Sequence, residues 1–285
     1  MEQEMTRREL IQSAAVAVST LSSAGHTAEQ PTAPRKLPTI KLGRLEVSRL
    51  ILGSNPFFGY SHQSQALDEE MRAYYTDERI IHVLDEAARH GITAVAAPPF
   101  ERWIALFRKY VQGGGKLRIW IAQPHADPDH MIDEINASAE GGARAIFIQG
   151  ARVDEQFEQD PQLTRVRQWL EVIKKHGLPA GMASHRPDVH LTAEKLGLPT
   201  DFYFQCFFRP DTYLMEDRDK AVAAIKQIRK PVVGYKILGA GRIPPKEGFA
   251  YAFRHLKRKD GVCVGVYLKQ KPDMIQENAS LITGR

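Results

Sequence analysis

Two hydrophobic rhythms alternate along this chain. Eight short apolar runs, at residues 48–52, 92–96, 118–122, 145–148, 179–183, 201–204, 232–235 and 262–266, each end in a polar, Gly or Pro residue, and a helix-like stretch follows. Strands alternating with helical patterns predict βαβ units and a parallel sheet, and eight such units close into a (β/α)8 TIM barrel of the α/β class. In these barrels the chemistry lies where the strands end, on the loops of the C-terminal face. The residues to interrogate are therefore Ser54 and Asn55, Pro98 and Pro99, Gln123 to His125, Gln149, Ser184 and His185, Gln205 and Cys206, Lys236, and Lys269.

Length and composition agree with that reading. The chain has 285 residues, 43% hydrophobic and 26% charged, against the ~250 typical of one such barrel. No run approaches the ~20 apolar residues of a membrane span. The net charge of +5 comes from both signs mixed throughout, with no basic stripe interleaved with aromatics. Nucleic acid and membrane are therefore excluded as partners of the mature form, and a small-molecule ligand is expected.

The start of the chain follows a different pattern. Thr6-Arg7-Arg8-Glu9-Leu10-Ile11 precedes a mildly apolar, Ala/Ser-rich stretch ending near Ala24. It resembles a twin-arginine export signal, with a charged start, a short apolar middle and a small-residue end. This divides the chain into a signal peptide (1–28), a linker (29–39) and the barrel (40–285). It implies a periplasmic or otherwise exported protein that engages the twin-arginine machinery. That route carries folded proteins, often ones holding a cofactor. Cys206 and Cys263 fall in two strands that are not neighbours in order, so both are expected as buried, inert thiols.

Four segments carry a family resemblance. Ile40-Lys-Leu-Gly-Arg-Leu-Glu-Val-Ser-Arg-Leu reads as a hairpin around Gly43-Arg44 that runs into the first barrel strand. Gly181-Met-Ala-Ser-His185 is followed by Asp201-x-x-x-Gln205. Tyr235-Lys-Ile-Leu-Gly-Ala-Gly241 follows the seventh run. Val266-Tyr-Leu-Lys269-Gln-Lys-Pro-Asp-Met-Ile-Gln-Glu277-Asn278 follows the eighth. In order and spacing these are similar to the aldo-keto reductases, which open with a hairpin and close with a cofactor loop. The resemblance implies NADP as a possible cofactor, with Ser184 and Gln205 on the nicotinamide amide and Lys269 and Asn278 on phosphate and adenine. Taken alone, Lys269, Lys271 and the start of a helix near Pro272 form either an anion site or a solvated loop.

The resemblance fails at its chemistry. The family's Asp and Tyr correspond here to the segment Ala96-Ala-Pro-Pro-Phe-Glu101, its Lys to Ala122-Gln123-Pro124, and its His to Gln149-Gly150. Met274 stands where the family has the arginine for the cofactor's extra phosphate. With no tyrosine activated by a neighbouring lysine, no acid is at hand to protonate a carbonyl as hydride arrives. Standard aldo-keto reduction is not expected.

Other residues at the strand ends suggest different chemistry. The loop Gly53-Ser-Asn55-Pro-Phe-Phe-Gly-Tyr-Ser-His62-Gln63 joins amide and imidazole groups to aromatic faces, which suits polyhydroxylated ligands or a packed lid. His125, Asp127, Asp129 and His130 form one His/carboxylate cluster, and His185, Asp188 and His190 another. Pro128 and Pro187 mark both as helix starts rather than metal sites, so no metal is expected. Lys236 follows the seventh run in an apolar context. It is expected either as a desolvated base, imine-forming nucleophile or oxyanion partner, or as one half of an ion pair with Glu101. The leading expectation is acid/base chemistry on a small sugar-like or carbonyl compound. Lys236, His125 and His185 would be catalytic, and Asn55, His62, Gln123, Gln149 and Arg242 would bind substrate. An atypical NAD(P)-dependent oxidoreductase and a non-catalytic ligand-binding barrel are the alternatives.

Overall fold

The computed structural model describes residues 36–282. The expected export signal at 1–28 lies outside the described residues, as do the linker residues before Lys36. Among the described residues no helix is long and apolar enough to cross a membrane.

The chain begins with a hairpin, β1 (Thr39–Leu42) antiparallel to β2 (Leu45–Ser48). Gly43 makes the turn at φ 60°, a left-handed conformation that costs a residue without Cβ little. Ile40, Leu42 and Val47 are buried against the barrel's inner core, so the hairpin closes the N-terminal end. Ser48 and Thr93 lock it there, each side-chain oxygen accepting from the other's backbone N–H at 3.0 and 2.8 Å.

Eight parallel strands follow and close on themselves. They are β3 (Leu50–Gly53), β4 (Ala94–Ala97), β5 (Ile119–Ala122), β6 (Ala145–Ile148), β7 (Ala180–Ser184), β8 (Phe202–Cys206), β9 (Val232–Tyr235) and β10 (Gly261–Gly265). Each pairs with the next, and β10 pairs with β3 to complete the barrel. All eight predicted strands are present, two with the predicted boundaries and six with an end moved by one or two residues. Around them lie α1 (Gln65–Tyr74), α2 (Asp77–Arg89), α3 (Glu101–Gln112), α4 (Met131–Glu140), α5 (Gly150–Gln159), α6 (Thr164–Lys175), α7 (Pro187–Lys195), α8 (Met215–Gln227), α9 (Pro245–His255) and α10 (Met274–Ser280). The helices pack on the strands' outward residues through Trp103, Trp120 and Trp169, all fully buried.

Strand side chains alternate between faces, which separates two cores. Ile51, Ala94, Ala96, Ile121, Ala145, Phe147, Ala183, Phe202, Phe204 and Val233 fill the lumen. Phe147 and Phe204 stack across it with centroids 4.0 Å apart and planes 5° off parallel. A Cβ on Gly181 would lie 2.4 Å from the Phe202 ring, so this lumen position requires glycine. Cys206 and Cys263 are free thiols, and burial pushes each up to about 12.

Candidate active site

The two-residue strand period decides which residues reach the mouth. Extending the lumen-facing set by one step past each strand places Asn55, Gln123, Gln149, His185, Cys206 and Tyr235 at its rim. Ser184 and Gln205 fall on the other parity and face the helices. Ser184 is fully buried, donates to Asp154 Oδ1 and accepts from the Arg186 N–H at 2.9 Å. Gln205, also fully buried, bonds His190 Nδ1 at 2.8 Å and donates to the Cys206 carbonyl at 2.9 Å. Neither has an amide- or ligand-binding group to spare.

His185 is the best-oriented base at the mouth. Asp154, in the first turns of α5, accepts from His185 Nδ1 at 2.9 Å and from the His185 backbone N–H at 3.1 Å. An acceptor on Nδ1 fixes the tautomer in which Nε2 is unprotonated, and Nε2 has no partner among the described residues. The ring lies 6.0 Å from that of Tyr235, whose hydroxyl donates to the Ser184 carbonyl at 3.3 Å. Gly150 makes this contact possible, because a Cβ there would meet the Tyr235 hydroxyl at 3.0 Å and His185 Cε1 at 3.3 Å.

Lys236 stands beside Tyr235. Its Nζ is buried with no hydrogen-bond partner, and no ion pair with Glu101 exists; Glu101 is exposed in the first turn of α3. That expectation is corrected: with no carboxylate at hand, burial pushes the amine down to about 8. Cys206 and Arg242 are its charged or ionisable neighbours. Lys236 also has φ 54°. Five non-glycine residues among those described have positive φ, and four of them, His62, Tyr213, Lys236 and Ala240, surround this point. Such strain costs on the order of 1–3 kcal/mol each and collects where geometry serves function.

Arg242 links these strained positions. It donates from Nη2 to the His62 carbonyl at 3.1 Å and from Nη1 to the Gly239 carbonyl at 3.0 Å. Its guanidinium lies 4.0 Å over the Tyr213 ring. Gln63 Nε2 donates to the Ala240 carbonyl at 2.7 Å, a second tie between the β3 and β9 loops. Asn55 Nδ2 donates to His62 Nε2 at 3.2 Å, which requires a neutral ring. Burial, with Lys236 and His185 nearby, holds His62 down at about 4 and supplies that neutrality.

The remaining predicted residues stand at the ends of the β5 and β6 strands and in the loop after β5. His125 packs edge-on against Phe100 at 5.2 Å, with Nδ1 3.5 Å from Glu134. Gln123 and Gln149 are half-buried on the β5 and β6 rim. Asp127 and His130 pair with each other at 2.9 Å, and Asp127 accepts from the Asp129 and His130 N–H groups as a turn cap. Among the described residues no three His, Cys, Asp or Glu side chains are placed to hold a metal ion.

The residues proposed for a nicotinamide dinucleotide do not fit one. Lys269 is held by Glu70 at 2.9 Å, and Lys271 by Glu277 at 2.9 Å. Helix α10 starts at Met274, two residues past Pro272. Asn278 is buried, with Oδ1 unpartnered. Both lysines are thus paired with carboxylates at the surface, and Ser184 and Gln205 are turned to the helix side, away from the mouth.

A cavity of about 480 Å³ opens beside the dyad, lined by His185 and Cys206 at the barrel end and by Arg186, Asp188, Arg209 and Lys220 further out. Arg186 is held by Asp188 at 2.8 Å and Arg209 by Asp211 at 3.1 Å. The walls are thus polar, with the two arginines paired and Asp217 and Lys220 also in the lining, which suits a small polar compound better than an apolar one.

Sequence reasoning missed Asp154 and Tyr213. Asp154 had a signal: in a right-handed βαβ unit the helix after one strand packs toward the next, so the start of α5 meets the end of β7.

Fold and mouth together define a (β/α)8 barrel with an N-terminal hairpin and a His–Asp pair at its C-terminal face. No protein-family model and no curated protein sequence matches the chain. Among solved structures it is similar to a candidate aldo-keto reductase from Pseudomonas aeruginosa, at 16% identity and TM-score 0.64 over 88% of this chain and 98% of that one. A second Pseudomonas structure of this kind matches at 15% and 0.60, covering 88% and 99%. An aldo-keto reductase from Bacillus halodurans in its holo form matches at 12% and 0.56, covering 86% and 91%. The likeness establishes that the barrel is built as aldo-keto reductase barrels are.

Proposed function

We propose that this chain is an enzyme that moves a proton beside the carbonyl of a small polar compound, with His185 as the base. The observation that carries this reading is the Asp154–His185 pair, which leaves Nε2 unpartnered beside the cavity. Positioned general bases contribute about 10²–10⁴-fold to rate. Lys236 polarises the carbonyl or bonds to it, and Asn55, Gln149 and Arg242 orient the substrate from the rim. His125 has no part in this reading: its ring packs edge-on against Phe100, and its Nδ1, 3.5 Å from Glu134, has no hydrogen-bond partner to orient it. The twin-arginine pattern supports export as a further part of the proposal.

The test is solvent deuterium exchange, followed by NMR, into ketoses and 2-oxo acids at the carbon next to the carbonyl. The native protein is expected to accelerate exchange in at least one of them, and His185→Gln to lose that acceleration by about 10²-fold or more. Exchange unchanged in His185→Gln would overturn the assignment.

A further inference from the structure

We propose that Lys236 is an imine-forming nucleophile, its ε-amine adding to the carbonyl carbon of a small aldehyde or ketone held at the mouth; this rests on the acid–base reading above. The neutral amine forms the C–N bond with its lone pair, and the carbonyl oxygen takes up the amine's two protons and leaves as water. A proton from solvent on the imine nitrogen then makes an electron sink. His185 Nε2 accepts the proton of the adjacent carbon, whose electron pair moves toward nitrogen. Hydrolysis returns the amine, so no oxidant or reductant is required.

Three independent features support this. First, Nζ is buried with no acceptor, so the ammonium loses its hydration and gains no ion pair in return. Second, Lys236 directly follows Tyr235, whose ring lies 6.0 Å from that of His185, so amine and base stand at the same end of the barrel. Third, the left-handed backbone at Lys236 departs from strand geometry at the end of β9. The ionisable groups facing the amine are Cys206 from β8, Arg242 from its own loop and His62 from the β3 loop. Of these only Cys206 favours the charged amine, and burial outweighs it. Nζ is out of reach of solvent, so the step requires a loop movement; the Arg242–His62 and Gln63–Ala240 bonds, both exposed, tie the β3 and β9 loops and are the ties it would release.

The test is reductive methylation of the native protein with limiting formaldehyde and cyanoborohydride at pH 7, read by peptide mass mapping. Formaldehyde is the smallest carbonyl, and cyanoborohydride reduces the imine it forms to a stable N-methyl group. With the amine at about 8, its unprotonated fraction at pH 7 is about 300-fold above that of a lysine at 10.5. Lys236 is therefore expected to label ahead of exposed lysines such as Lys41 and Lys195, and faster still in Gln63→Ala, which releases the tie to the Ala240 carbonyl without removing a charge. Labelling of exposed lysines with Lys236 unmodified in both proteins would overturn the proposal. In a second arm, borohydride with pyruvate or dihydroxyacetone should add a reduced adduct that Lys236→Met lacks. No adduct from either probe would also overturn it. Deuterium exchange that needs His185 while Lys236 takes no label sinks the imine alone; label on Lys236 with exchange indifferent to His185 sinks the acid–base reading.

Discussion

Replacing Lys236 with Met should make the protein more stable and inactive. Met keeps the unbranched stem and the left-handed backbone strain but removes the ammonium. Burial without an acceptor lowers the amine from 10.5 to about 8, and at 1.36 kcal/mol per pH unit the native state bears about 3 kcal/mol against the charged form. The unfolded chain binds more protons between those two values, so stability rises with pH across that window. The cost is full below pH 8 and vanishes above 10.5, where the amine is neutral in both states. For a domain of this size about 2–4 °C accompanies each kcal/mol, so Lys236→Met should melt about 6–12 °C higher at pH 7. The assay is calorimetric melting of both proteins from pH 7 to 10.5. An equal or lower melting point at pH 7, or a gain that does not shrink as pH rises, would refute the reasoning.

Other outcomes follow from the same geometry. Asp154→Asn leaves a neutral amide beside His185 Nδ1 and should lower exchange activity about 10²–10⁴-fold with little loss of fold, checked by kinetics beside circular dichroism. Burial holds His190 down at about 4, so the unfolded chain outbinds the native one in protons between pH 6.5 and 4. That imidazole alone should remove about 3 kcal/mol of stability as pH falls through the window, and urea titrations of His190→Gln should show a smaller loss. Gly150→Ala pushes Tyr235 and His185 apart by a few tenths of an ångström, and is expected to reduce turnover while the melting point falls by less than in Gly181→Ala, which drives a methyl into Phe202. Changing Arg7 and Arg8 to Lys should retain the protein in the cytoplasm, read by fractionation and immunoblot; unaltered export would remove the signal assignment.

The barrel was legible because its signal is periodic. Each strand shows as a short apolar run, and the eight runs recur often enough that one misplaced boundary changes nothing. The mouth was partly legible for the same reason: the two-residue alternation already puts Asn55, Gln123, Gln149 and His185 on the lumen side. It also puts Ser184 and Gln205 on the helix side, where family likeness alone would have them bind a ligand. Pairings between distant residues left no trace. Glu70 reaches Lys269 across almost 200 positions, and Glu134 anchors the His125 loop only once α4 is folded. Lys236 shows the limit of alternation. Its parity points outward after β9, yet its backbone leaves strand geometry at φ 54°, a departure that carries no residue signature in lysine.

The stacked Phe147 and Phe204 lie one step below Gln149 and Cys206, and beneath them the lumen is hydrocarbon down to the hairpin. Among the described residues the side chains packed in that layer are hydrocarbon, so on the proposed reading a proton taken up at the rim would leave back through the mouth. Buffer molecules small enough to enter should therefore relay protons and speed turnover, while bulky buffers of the same pKa should not. If His185 is the base, its proton traffic runs on one side of the barrel only, and substitutions at the hairpin-closed end should leave turnover unchanged.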